Sequence, residues 1–358
     1  MDRLSQWWDD TRYAARLAQA DAFWQGHGKY VASLTVWDPP YWKSTDTPAW
    51  LDELEVHLKK QAALPGLNLP WIRPVFNAMS TPGYWGGKLI IEPITGAHHL
   101  APAVANLDEA LRLEPLPFDH PDMDAARALR LYRQACEHLQ TDKLWLRTPD
   151  FQGPLNTAGE VVQQEEFLIA MHTEPDKVHA FLDRVCDHLI AYVQYLIRET
   201  DGRICGNVWP YSFVPPQFGV SLTEDLMPLL SESMYGQFAI PVLRKINRAL
   251  GPLHIHCCGQ WAQHVQTFVD SDLQIAAVEY HHPYTTFEQI APLGEQAVLI
   301  PYIDRLDDSG FTCAADYYRH LLDHTDARYR FWFTCSDDNE PSITEFVERY
   351  ERAGHSLP

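Results

Sequence analysis

The sequence predicts an α/β protein: a (β/α)8 barrel, the TIM-barrel architecture, with an N-terminal helical extension. Three observations carry that expectation. Short runs rich in β-branched and aromatic residues alternate with segments of helical periodicity over roughly 200 residues, the pattern of a parallel sheet with crossover helices. The length, 358 residues, suits two modest domains or one barrel. No G-x-G-x-x-G follows any strand-like run, which puts a doubly wound open sheet second. Residues 1–70 read as an aromatic-rich helical extension packed on the barrel and residues 71–358 as the barrel itself, together one structural unit.

Within residues 1–70 the helical pattern is interrupted by Val31–Trp37, a β-branched run closed by Asp38, Pro39 and Pro40. A second extended piece, Trp71–Phe76, lies among turn markers at Pro74, Pro82, Gly83, Gly86 and Gly87. Leu144–Arg147 reads as a strand, followed by a loop through Gly153 and Pro154. A long helix begins at Glu174-Pro175-Asp176, where acidic residues and a proline suit the first turn. In it Val178, Phe181, Leu182, Val185, Leu189, Tyr192 and Val193 recur at three- and four-residue steps and form one apolar face. Strand-like runs follow at Ile204–Trp209, Leu253–Cys258, Ile275–Tyr280, Val298–Ile303 and Phe331–Thr334. Helical segments between them include Ser233–Ala249, Gln260–Val269 and Cys313–Leu322.

Charge and composition exclude several classes of function. Lys and Arg total 28 against 48 Asp and Glu, a formal net charge of −20. With no basic run to offset it, that charge repels a phosphate backbone, so no nucleic-acid partner is expected. No apolar stretch approaches the roughly 20 residues that span a bilayer, and residues 1–30 have no apolar signal core, so no membrane association is expected. Seven cysteines, an odd number without an export signal, read as free thiols or metal ligands. The expected location is the cytoplasm.

The most informative stretch is Leu253-His254-Ile255-His256-Cys257-Cys258-Gly259. Strand alternation places His254, His256 and Cys258 on one face and Ile255 and Cys257 on the other. Ile255 suits the sheet–helix interface, so the His/His/Cys face points inward. Gly259 ends the strand and leaves His256 and Cys258 near its C-terminal end, where barrel enzymes keep their chemistry. Cys335 falls at the end of the last strand-like run and is a candidate to converge with Cys258. One imidazole and two thiolates with an open fourth position are the ligand set of a catalytic zinc. The competing reading is a buried polar strand with inert cysteines, since H-x-C alone is a two-residue signal.

Several stretches resemble the uroporphyrinogen decarboxylase superfamily, and especially its zinc-dependent corrinoid methyltransferase branch. Gly153-Pro154-Leu155-Asn156-Thr157-Ala158 is similar to the family's G-P-[FL]-T-x-A loop, with Asn156 at the threonine position. Glu174–His179 resembles the helix start that follows. Thr223-Glu224-Asp225, Leu230-Ser231, Phe238 and Pro241 resemble its "D-D … L-S-P … F … P" segment, and His256-Cys257-Cys258-Gly259 matches H-x-C-G. Cys335 sits where that branch carries its last zinc-binding cysteine. The resemblance covers roughly 200 residues. It implies Zn2+ held by His256, Cys258 and Cys335, and methyl transfer between a corrinoid (cobalamin) carried by a partner protein and a thiol or other small-molecule acceptor. A thiol bound to zinc is deprotonated and nucleophilic at neutral pH.

The remaining candidates lie around that set. Asp225 and Glu279 are the candidate catalytic carboxylates, with Glu279 also a possible fourth ligand. His281 and His282 follow Glu279 as site residues or as a solvated His-His-Pro turn. His254, one strand step from His256, reads as a hydrogen-bonded neighbour of the metal set. Asn156, His254, His281 and Asp304 are candidate substrate contacts. Among 12 Trp, 16 Tyr and 15 Phe, the loop residues Trp37, Trp85, Trp209 and Tyr211 could stack on a substrate or enclose a methylated ammonium, or simply pack the extension. No arginine-rich loop is visible to grip a porphyrinogen's carboxylates. Two further readings remain: a metal-free lyase of the decarboxylase type on another substrate, and a non-catalytic ligand-binding barrel.

Overall fold

A computed structural model describes residues 2–35, 48–64, 66–73, 80–91, 98–206, 212–336, 342 and 344–346. The strands are β1 (Tyr30–Thr35), β2 (Trp71–Ile72), β3 (Lys88–Ile91), β4 (His98–Ala101), β5 (Trp145–Arg147), β6 (Ile204–Cys205), β7 (Val220–Thr223), β8 (Leu253–Cys257), β9 (Ile275–His282), β10 (Val298–Ile303) and β11 (Phe331–Ser336). Six form a parallel sheet in the order β1-β11-β10-β9-β8-β7, and three more a parallel sheet β2-β5-β6. The two sheets touch where Leu67 N donates to Ala32 O and where Gln152, beyond β5, makes an isolated parallel bridge to Thr223. β3 and β4 form a separate antiparallel pair.

The helices are α1 (Asp10–Trp24), α2 (Pro48–Ala63), α3 (Leu107–Ala110), α4 (Asp124–Leu139), α5 (Pro154–Val161), α6 (Gln164–Thr173), α7 (Pro175–Glu199), α8 (Glu232–Leu250), α9 (Val265–Val269), α10 (Phe287–Gly294), α11 (Leu306–Ser309) and α12 (Ala314–His324). The α/β class and the parallel strand–helix alternation agree with the sequence reading. All seven apolar positions assigned to one face of the long helix are buried in α7. Pro175 stands in the first turn, where its missing N–H costs no hydrogen bond.

The structure adjusts several elements. β1 lies inside residues 1–70 and pairs with β11 along its length, so part of the expected extension is an edge strand of the main sheet. Of the run expected at Ile204–Trp209, Ile204–Cys205 form β6 and Gly206 bridges Val214, while 207–209 lie outside the described residues. β9 continues to His282, carrying Glu279 and His281 within the sheet. Gln260–Val269 is a 3-10 turn at Ala262–His264 followed by the short α9. β7 has only four residues and no clear alternation to betray it. Gly219, at φ +114°, makes room for it: a Cβ there would lie 1.9 Å from Pro252 O, the carbonyl to which Val220 N donates.

The strands bury two faces. Leu222, Ile255, Val278, Leu299, Phe331 and Phe333 pack on the side of the helices. Trp71, Trp145, Ala277, Val298, Ile300 and Trp332 share the opposite, inner face with Tyr13, Ala20 and Phe23 of α1. At the N-terminal ends of the strands Trp24 stacks on Trp332 (5.2 Å between centroids), and Trp145 Nε1 donates to Tyr13 Oη at 3.0 Å. That inner face positions the candidate site at the other end of the same strands.

Candidate metal centre

β8 and β9 pair in parallel with His256 opposite Glu279. Both side chains are buried, and His256 Nδ1 lies 2.6 Å from Glu279 Oε1. A carboxylate can only accept, so Nδ1 carries the hydrogen and Nε2 is turned to the other side of the ring. There Nε2 stands 3.8 Å from Asp225 Oδ1. Cys258, exposed just beyond β8, donates its backbone N–H to the same Oδ1 at 3.1 Å, with its Sγ 3.5 Å away. Asp225 follows β7 at the same strand ends.

The ligand atoms of Asp225, His256 and Cys258 lie within 4.8 Å of one another, as do those of His256, Glu279 and His281. The donor set fits zinc. An imidazole held at Nδ1 by a carboxylate presents Nε2 in fixed orientation beside a thiol, the usual outer-shell support of a histidine ligand. Cys335 belongs to β11, where its backbone pairs with Leu34. Its side chain lies outside the described residues.

Protonation follows from these neighbours. Burial would lower the pKa of His256, but the charge of Glu279, the Cys258 and Glu279 hydrogen bonds and Asp225 outweigh it and raise it well above the ordinary value. Burial pushes Glu224 up to about 8 and Glu160 up to about 9, the latter helped by Asp150 and Asp225. Asp150 is also raised by burial although it accepts from Thr223 Oγ1 at 2.6 Å. These three carboxyls, with Thr223, escaped the sequence reading. Thr223 and Glu224 were within a quoted stretch, and Asp150 and Glu160 offered no spacing signal.

The other expected residues divide. His281 is 3% exposed, edge-on to His256 at 5.4 Å between centroids, with Nε2 3.7 Å from Glu279 Oε1 and Nδ1 4.0 Å from Asp304 Oδ1. Neither ring nitrogen has a hydrogen-bond partner among the described residues. His282 instead turns to the Ser309 carbonyl. His254 packs against Trp24, and its Nε2 lies 3.0 Å from Phe218 O. Asn156 is buried; its Nδ2 donates to Gln152 Oε1 and its Oδ1 accepts from Leu226 N, so its amide braces the segment that carries Asp225. Trp85 is buried among Phe181, Arg184 and His188 of α7, apart from the His256 group. Trp37, Trp209 and Tyr211 lie outside the described residues.

No family model matches the chain, and neither does any curated protein. Among solved structures, a methyltransferase from Methanosarcina mazei superposes with a TM-score of 0.64 at 12% identity, covering 94% of this chain and 98% of that one. The chain has a methyltransferase-like fold. Two arginines that the sequence did not single out also stand at the C-terminal ends of this fold's strands. Arg73 and Arg147 are buried after β2 and at the end of β5, and the Arg147 guanidinium lies 4.3 Å above the Trp71 ring. A cavity of about 260 Å³ lies at the opposite, N-terminal ends, between Trp24, Pro252, Val298 and Arg330, away from the His256 group. Among the described residues no helix is long and apolar enough to cross a membrane.

Proposed function

We propose that the chain is a zinc-dependent methyltransferase that moves a methyl group between a corrinoid carried by a partner protein and a thiol or other small acceptor. The observation that carries this reading is the Glu279–His256 hydrogen bond, which aims Nε2 at the side of the ring where Cys258 and Asp225 stand. The likeness of fold to a methyltransferase supports it. His256, Cys258 and Cys335 would hold the metal, whose contribution is to keep an acceptor thiol deprotonated at neutral pH.

The chain's own groups do the rest. Glu279 fixes the His256 tautomer. Asp225, at the exposed strand end, is the group that takes the proton from an incoming acceptor. His281 and Asp304 contact substrate, with Trp37, Trp209 and Tyr211 as further contacts. Leu229, Tyr284 and Leu306 are exposed apolar side chains following β7, β9 and β10, and they offer the corrinoid protein apolar contacts beyond the C-terminal ends of these strands. This reading takes the parallel strands as a closed barrel of the (β/α)8 kind, with residues 1–70 supplying β1 and the helices that lead into it. It also places the chain in a reducing compartment, the cytoplasm, in keeping with free Cys136, Cys186, Cys205, Cys257, Cys258 and Cys313.

Elemental analysis of purified protein tests the metal. Near-stoichiometric zinc in the wild type, lost in both Cys258→Ser and Cys335→Ser, is the expected result. Absence of zinc after metal-replete purification would sink the reading and favour a metal-free lyase or a ligand-binding barrel. Cobalamin-dependent methylation of added thiols then separates a transferase from a zinc-bearing binder.

A further inference from the structure

A second group of buried polar atoms lies one strand step below His256. In the β7–β8 register Ser221 pairs with His254 as Thr223 pairs with His256. Two residues along a strand span about 6.6 Å. Ser221 is 4% exposed, His254 3%, and Thr148, just beyond β5, 8%. Ser221 Oγ, Thr148 Oγ1 and His254 Nδ1 have no hydrogen-bond partner among the described residues. Between the two hydroxyls stands Gly206, where a Cβ would lie 3.2 Å from Ser221 Oγ and 3.6 Å from Thr148 Oγ1. The glycine leaves both hydroxyls uncovered by a side chain at that position, where a methyl would crowd Ser221 Oγ.

The tautomer of His254 narrows the chemistry. Its Nε2 faces the Phe218 carbonyl, which can only accept, so Nε2 carries the hydrogen and Nδ1 presents a lone pair. Buried hydroxyls and an imidazole nitrogen without partners are costly, and three at one level call for a group that the chain does not supply.

We propose that this level is a subsite for the tail of the small-molecule acceptor, a hydroxyl or amino group about two to four carbons from the sulfur, given the strand rise. The tail donates to His254 Nδ1 and meets the Ser221 and Thr148 hydroxyls beside Gly206. The inference rests on the thiol-acceptor reading above.

Cobalt(II)-substituted full-length protein, titrated with thiols and followed by its thiolate absorption, tests it. 3-Mercaptopropanol or 3-aminopropanethiol is expected to bind about tenfold tighter than butanethiol, which has the same number of heavy atoms. The alcohol and amine arms show which donor is preferred. In Ser221→Ala, and separately in Gly206→Ala, which puts a methyl against the two hydroxyls, the preference falls to within about twofold. Cobalt remains bound stoichiometrically in both. Equal affinities in the wild type, or a preference untouched in both variants, overturn the subsite. A wild-type protein that takes up no cobalt defeats the metal reading on which it rests, a result distinct from a lost preference.

Discussion

The two ends of the inner face are built from the same strands and do opposite things. At the N-terminal ends, Phe23 and Trp24 of α1 close the face against Trp332, and Tyr13 caps Trp145, so ring packs on ring. At the C-terminal ends β8 and β9 present His256, Glu279 and His281, flanked by Asp225 and Cys258. A strand changes from apolar to titratable within a few residues: Ala277 lies in the aromatic cluster, and Glu279, two positions on, bonds to His256. The difference teaches that the polar end can leave buried atoms unpartnered because the aromatic end secures the strands. Stability and chemistry are thus segregated along one axis.

Substitutions at the two ends should therefore separate metal binding from stability. The largest effect is expected at the polar end: Cys258→Ser loses the zinc and with it methyl transfer, while the melting temperature of the metal-free protein changes little. Elemental analysis beside a melting curve checks this. At the other end, Trp332→Ala should cost about 3–5 kcal/mol of stability by opening a cavity beneath Trp24, with zinc stoichiometry intact in the folded fraction. If Trp332→Ala instead releases zinc without destabilising the chain, the two ends are not independent.

Smaller effects sharpen the boundary. Glu279→Gln should weaken zinc affinity by about 10–100-fold, measured by chelator competition, because the amide no longer holds the Nδ1 hydrogen as a carboxylate does. Asn156→Ala should cost about 1–3 kcal/mol by leaving Leu226 N and Gln152 without their partner. A last test is a matter of pH. Burial raises Glu160 from 4.5 in the unfolded chain to about 9 in the folded protein. The stability linked to its proton is thus fully present below about pH 4.5 and is lost as pH rises towards 9. Glu160→Gln should melt higher than wild type at pH 8.5 and equally at pH 4.5.

Much of this was legible in the chain. The seven apolar positions of α7 are spaced so that only a helix buries them together, and the runs that became β8, β9, β10 and β11 are apolar enough to be central strands. His256 and Cys258 stood out because alternation gives them one face and Gly259 ends the strand. His254 looked equivalent by the same rule and was not. Its ring is engaged below, by Phe218 and Trp24, which approach from 36 and 230 residues away in sequence. Trp85 read as a loop aromatic near the strand ends, yet it is buried on α7, because a Trp is drawn to whatever apolar face lies nearest in space.

Composition and periodicity alone determined the α/β class, the parallel strands and the residue types of the candidate centre, since each depends on neighbours a few positions apart. The tertiary structure decided which atoms face one another. The 2.6 Å bond between His256 and Glu279 depends on strand register, while the carboxylate of Asp225 beside Cys258 and the raised pKa of Glu160 depend on how loops and helix α5 pack on the strand ends. Register is set by the packing of whole elements against one another, and no local stretch of sequence encodes it.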